Sequence, residues 1–276
     1  MVRLDRALHA RGLARSRSHA QELIAAGAVT VDGRVATKSA HPVSDDAVLD
    51  VAPDAGRYVS RAAHKLVGAL DACAPDGLSV DGRRALDAGA STGGFTQVLL
   101  ERGAAHVLAV DVGHDQLSPS IRGDARVTVR EGVNVRDLDA STPGAGVGLV
   151  VADLSFIALP LVIPALVAFA GEGADHLLMV KPQFEVGRGK LSARGVVTSQ
   201  AARASAVRGV ARAMADAGLT LHRVARSALP GPQGNVEFFI WASNVWQARS
   251  GDAHARPVLD GELLEQAIAR EVKEDS

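Results

Sequence analysis

RALDAGASTGGFTQVLLERG, residues 84–103, changes its hydrophobic period half-way along. Arg84–Ala88 reads as a short strand that runs straight into a glycine-rich turn. Beyond the turn, Phe95, Val98 and Leu99 recur at helical spacing up to Arg102, and Gly103 stops the helix. Strand, turn and helix in that order form the repeating unit of an α/β fold. Gly89, Gly93 and Gly94 allow a sharp turn and let backbone approach a ligand just before a helix N-terminus. The spacing is not G-x-G-x-x-G, so the dinucleotide fingerprint is absent.

Working outward, more strands alternate with helical stretches, at 106–112, 127–131, 147–153 and 176–181. Two last strands, 221–228 and 237–242, are split by LPGPQGN and read as an antiparallel pair. The expected form is an α/β Rossmann-like domain of the methyltransferase type, its parallel sheet closed by that hairpin. The turn then suits a ligand with an amino-acid end and no pyrophosphate. Backbone N–H groups around Ser91, Thr92, Gly93, Gly94 and Phe95 would face its carboxylate, and Asp87 its ammonium. Asp111 closes HVLAVD at a strand end, where a carboxylate can accept ribose hydroxyls, and Asn134 after the next strand can read an adenine edge. Together these residues describe a site for S-adenosylmethionine.

Residues 1–52 read as a separate small α+β unit. Leu4, Ala7, Leu8 and Leu13 suggest one helix ending near Gly12, and Ser16 or Ser18 caps a second that Gly27 stops. Asp32-Gly33 between Val31 and Val35 signals a hairpin, with a further strand at 47–51. Residues 1–38 hold seven basic side chains (Arg3, Arg6, Arg11, Arg15, Arg17, Arg34, Lys38) against three acidic ones, a local +4 in a chain of net −1. Such a cluster suits phosphates. Pro53 to Val59 reads as a linker, leaving residues 60–276 for the larger domain.

Four polar residues stand out in that domain. Asp153 ends the apolar strand of GLVVADLSF and Lys181 ends that of HLLMVKPQFE, where the ligand crevice of an open α/β sheet lies. Glu237 follows the glycine–proline loop. Lys65 sits on the helix of SRAAHKLVGAL, where by itself it reads as a solvated face. Phe156 reads equally as core or as a face against cofactor or target base. Arg188 and Lys190, on the glycine-rich stretch 187–197, are candidates for RNA phosphates.

The order helix, helix, VTVDGRVATK and closing strand resembles the S4 RNA-binding domain. Lys65, Asp153, Lys181 and Glu237 match the Lys-Asp-Lys-Glu order of the FtsJ-like ribose 2′-O-methyltransferases. With an S4-like unit in front, the chain resembles the TlyA family of rRNA methyltransferases, which has also carried the name haemolysin. The resemblance implies transfer of a methyl group from S-adenosylmethionine to a cytidine ribose of ribosomal RNA in ribosomal subunits, with those four residues catalytic. Arg3 and Arg6 are not preceded by a longer basic leader, so large-subunit RNA is the first expected target and small-subunit RNA the second.

Bulk properties narrow the field. Hydrophobic residues make up 47%, enough for a real core, whereas 3% aromatics disfavour a reader built on stacking platforms. Cys73 is the single cysteine, which excludes an internal disulfide and a thiolate-rich zinc site. The amino terminus has no signal-peptide core, and the longest apolar run, 158–170, spans 13 residues with Pro160 and Pro164 inside it. A membrane-spanning helix needs about 20. A cytoplasmic enzyme without a metal is therefore expected, ahead of a membrane-acting haemolysin or a non-enzymatic S4-type RNA binder.

Overall fold

The computed structural model describes residues 1–25, 27–52, 57–244 and 256–273. Strand β1 (Val2–Arg3) leads into helix α1 (Leu4–Ala10), and α2 (Arg17–Ala25) follows. Ser16 caps α2, its Oγ accepting the His19 amide at 3.0 Å. β2 (Val29–Val31) and β3 (Arg34–Val35) make the hairpin. Asp32 and Gly33 carry φ of 49° and 75° at its turn, the double positive φ of a type I′ connection. β4 (Pro42–Val43) pairs with β1, and β5 (Leu49–Val51) pairs with β2. Leu4, Leu8, Leu23, Ile24 and Val29 close a core of their own.

The basic cluster of this unit is partly tied down. Buried Asp5 accepts hydrogen bonds from Arg3, Arg17 and Gln21, and the Arg3 guanidinium holds its carboxyl far below the usual carboxylate range. Arg11 donates to the carbonyls of Ser44, Asp45 and Ala47, which fixes that loop. Arg6 and Arg15 are exposed.

The larger unit runs α3 (Ala62–Cys73), β6 (Arg84–Ala88), α4 (Gly94–Glu101), β7 (His106–Asp111), α5 (Pro119–Arg122), β8 (Val127–Glu131) and β9 (Val147–Ala152). It continues through α6 (Ile163–Phe169), β10 (Ala170–Val180), α7 (Pro182–Glu185), α8 (Gln200–Asp216), β11 (Leu219–Arg226), β12 (Phe238–Asn244) and α9 (Gly261–Glu271). The strands form one sheet in the order β11-β12-β10-β9-β6-β7-β8. β6 to β10 are parallel, and β12 runs antiparallel to both its neighbours. The strand β10 starts at Ala170, six residues before the expected 176, across a register shift between Ala170 and Asp175. Gly171 and Gly173 carry no apolar period there, so the sequence pattern starts late.

β9 and the second half of β10 are continuous apolar runs because both faces of the sheet are covered. Leu166, Phe169, Val207 and Met214 pack on one face, and Leu66, Leu70, Val98 and Leu99 on the other. The chain leaves β6 towards β7 and β8, then crosses back to β9 and β10. That reversal opens a crevice at the carboxyl ends of β6 and β9, where open α/β sheets bind ligands.

The far end of the sheet is closed by buried Asp175. It accepts Trp241 Nε1 at 2.8 Å, Arg256 Nη1 at 2.6 Å and Arg83 Nη1 at 2.5 Å. The bond to Arg256 ties the segment bearing α9 to the sheet. Asp175→Ala takes the shared acceptor from three donors, so unfolding stability is expected to fall by about 3–5 kcal/mol. Urea midpoints measure this, and cofactor affinity stays unchanged because the site lies roughly 20 Å away along β10, at ~3.3 Å per residue.

Candidate active site

At the strand reversal the turn after β6 meets the end of β9 backbone to backbone. The Asp153 amide donates to the Ala88 carbonyl at 3.0 Å. Gly89 has φ of 87°, and a Cβ on it would lie 2.6 Å from the Asp153 carbonyl oxygen, so this position requires glycine. The Gly89 and Ala90 amides donate to Val110 O, which draws the turn across β7. Ser91 also adopts a left-handed backbone, φ 46°. Its amide donates to Asp111 Oδ2 at 2.8 Å, while the Gly113 amide donates to Oδ1 at 2.7 Å. Asn134 Oδ1 accepts the Arg136 amide at 3.0 Å, so its side-chain NH2 is the group left for a ligand.

Gly89, Ser91, Asp111, Asn134, Asp153 and Phe156 line a cavity of about 380 Å³, within the range of small-molecule sites. Asp87, Thr92, Gly93, Gly94 and Phe95 are not among its lining residues. Gly93 is the N-cap of α4 and packs on Leu117 and Ile121, and Gly94 lies against Ser60. Phe95 is 3% exposed and stacks on Phe239 at 6.2 Å, because the first turn of α4 points it at the sheet. Phe156 is 92% exposed with φ of 64°, so its reading as plain core is overturned.

Asp87 lies behind this cavity, fully buried. Its Oδ2 accepts Thr96 Oγ1 at 2.6 Å and its Oδ1 has no hydrogen-bond partner among the described residues. Burial pushes the carboxyl up to about 7, with Asp153 and Asp111 adding repulsion.

The four polar residues meet in two pairs. Lys65 Nζ lies 2.5 Å from Glu237 Oε2, with both side chains buried. Lys65 is 4% exposed, which overturns its reading as a solvated helix face. Gln183 Nε2 donates to Glu237 Oε1 at 3.5 Å, and a Cβ at Gly231 would meet Glu237 Oε1 at 2.3 Å, so the glycine–proline loop closes over that carboxylate. Lys181 Nζ lies 2.5 Å from Asp153 Oδ1 and donates to Ser155 Oγ at 2.9 Å. Lys181 too is buried, not a free charge at a strand exit.

The sequence reading missed Arg61, Ser155 and Gln183. Arg61 precedes α3 and donates to Pro230 O at 2.5 Å. Burial lowers its pKa, while Glu237 and Asp153 act against that, which puts its charge beside both pairs. Its side chain also lies against Gly27 of the first unit. Ser155 and Gln183 sat inside quoted motifs, but nothing in their spacing marks a contact. The side chain of Arg188 lies outside the described residues.

Residues 58–244 match the FtsJ-like methyltransferase family and residues 2–49 match the S4 domain. The chain belongs to the FtsJ-like methyltransferase family. It is 51% identical to the 16S/23S rRNA (cytidine-2′-O)-methyltransferase TlyA of Mycobacterium tuberculosis, over 99% of this chain and 98% of that one. It is 35% identical to Hemolysin A of Brachyspira hyodysenteriae, over 86% of this chain and 98% of the relative. A solved structure from Streptococcus thermophilus, described as a haemolysin, superposes with a TM-score of 0.71 at 31% identity, covering 97% of this chain and 94% of that one.

As a methyltransferase of this family the protein uses S-adenosylmethionine, and the cavity fits it. Asp111 and Asn134 in its lining offer an acceptor and a donor to a nucleoside. Asp87, buried outside the lining, keeps a carboxylate oxygen that has no hydrogen-bond partner among the described residues and is the expected partner of the ligand's ammonium. The raised carboxyl of Asp87 sets a pH dependence. Below about 7 it holds a proton that an incoming ammonium must displace, and above about 7 it is already ionised. Cofactor affinity is therefore expected to rise up to about ten-fold per pH unit towards 7 and then level. Calorimetry in two buffers of different ionisation heat should show proton release at pH 6. Asp87→Asn removes the slope.

Proposed function

We propose that the protein methylates the 2′-hydroxyl of a cytidine in ribosomal RNA, acting on ribosomal subunits in the cytoplasm. The observation that carries this reading is Lys181 held beside Asp153, which lines the cavity, with the Lys65–Glu237 pair completing the same family motif. A ribose hydroxyl is a poor nucleophile until its proton leaves. S-adenosylmethionine, when bound, supplies an electrophilic methyl group and departs as the neutral thioether, so the hydroxyl must give its proton to the protein. Lys181 takes that proton at Nζ, and Asp153 stabilises the ammonium that results. Lys65 and Glu237, mutually neutralising and buried, hold the target ribose by their remaining hydrogen-bonding capacity. Asp111 holds the cofactor ribose, Asn134 its adenine and Asp87 its ammonium. Phe156, exposed on a left-handed turn and 5.2 Å from the Phe184 ring, offers a face on which the target base can stack.

RNA recognition falls first to the unit at 1–52, joined by a linker at 53–59 to the transferase at 60–276. Residues 53–56 of that linker, and 245–255 and 274–276 of the transferase, lie outside the described residues. Arg6 and Arg15 are open to phosphate, and Arg3 and Arg17 present a face organised by Asp5. Arg11, Arg188 and Lys190 complete the candidate set, although Arg11 already serves three carbonyls. Arg61 adds a cation between this unit and the catalytic pairs. Among the described residues no helix is long and apolar enough to cross a membrane.

Labelled methyl transfer to large subunits, small subunits and naked rRNA, followed by nucleoside analysis for 2′-O-methylcytidine, tests the proposal. Lys181→Ala is expected to lower turnover by at least about 100-fold and to leave cofactor affinity within about two-fold. Retained turnover, or label on a base instead of a ribose, overturns it.

A further inference from the structure

Lys181 is paired with Asp153 by distance, but not by direction. Nζ lies 2.5 Å from Asp153 Oδ1, yet that oxygen has no hydrogen-bond partner, so the contact falls outside hydrogen-bond angles. Among the described residues the ammonium has one hydrogen bond, to Ser155 Oγ at 2.9 Å. An ion pair is nearly indifferent to rotation of an ammonium about its last side-chain bond. A hydrogen bond fixes that rotation. For proton transfer the rotation matters, because the neutral amine has two N–H bonds and one lone pair, and only the lone pair can take a proton.

Ser155 is itself held. It lies between Asp153, which directly follows β9, and Phe156, whose φ of 64° is costly for an aromatic residue. Glu185 at the end of α7 accepts the Leu159 amide at 2.9 Å, which pins the loop 154–159 to the helix that begins right after Lys181. Phe184 of α7 lies 5.2 Å from the Phe156 ring and 5.9 Å from Lys181 Nζ, closing the circuit. The loop and the lysine thus share one support, and the 2.9 Å contact is built in.

We propose that Ser155 is a positioning residue for the methyl transfer: its Oγ holds one N–H of Lys181 and so turns the nitrogen lone pair to the ribose hydroxyl. Asp153 supplies charge and Ser155 supplies direction. The proposal rests on the assignment of Lys181 as the base. Ser155 is exposed, so a threonine can keep the hydroxyl and place its extra methyl outward.

The experiment measures steady-state methyl transfer to ribosomal subunits by the full-length wild type, Lys181→Ala, Ser155→Ala and Ser155→Thr, with cofactor binding by calorimetry. Ser155→Ala is expected to lower kcat by about 10- to 100-fold, the scale of a misplaced reacting group. The KM for RNA and for cofactor should stay within about two-fold, and Ser155→Thr should recover most of the rate. An unchanged kcat in Ser155→Ala overturns the proposal. So does a rise in cofactor KM that accounts for the loss, or a threonine variant as slow as alanine, because either places the effect in the loop and not in the hydroxyl. If the wild type transfers nothing to ribose, or Lys181→Ala stays active, the base assignment itself fails, and that result is distinct from the other three.

Discussion

The contact on which the site depends is the one between Gly89 and Asp153. The Asp153 amide bonds to the end of β6, and its carbonyl oxygen leaves no room for a side chain at Gly89. Its carboxylate lines the cofactor cavity and faces Lys181. One residue thus joins the two strands that flank the topological reversal and couples the glycine turn to Lys181. A larger residue at 89 would separate β6 from β9 and dismantle both functions together.

Charge burial is the second constraint. Lys65 and Glu237 are both taken out of water, which is tolerable only because they meet at 2.5 Å and because Gln183 and the loop at 231 enclose the carboxylate. Breaking such a pair leaves an uncompensated buried charge, at a cost of about 3–5 kcal/mol. Asp87 follows the opposite course. It has no cationic partner among the described residues, and burial raises it to about 7.

The linker is held to the larger unit through polar contacts, and the aliphatic part of the Arg61 side chain borders the first unit. Val59 N donates to Gln97 Oε1 and Gln97 Nε2 donates to Arg57 O, so the chain entering the larger unit is clipped to α4, the helix that follows the cofactor turn. Arg61 then reaches Pro230 and borders Gly27. The Arg61 guanidinium therefore stands between the first unit and the charged pairs of the second.

The sequence by itself determined every strand of the larger sheet, the glycine turn, the Asp32-Gly33 hairpin and the identity of four polar positions. These are local: period, turn chemistry and strand-end charges lie within a few residues of one another. Where strand and helix periods were absent, as at Gly171 to Gly173, the boundary was misplaced. How the charges pair, that Phe95 is core while Phe156 is exposed, and that Ser155 bonds Lys181 were settled by tertiary packing alone. Lys65 and Glu237 are separated by 172 positions, and Lys181 and Ser155 by 26. Contacts of that kind are set by the packing of α3, β9, β10 and β12, and no short stretch of sequence encodes the distance between two side chains that meet only after the sheet has closed.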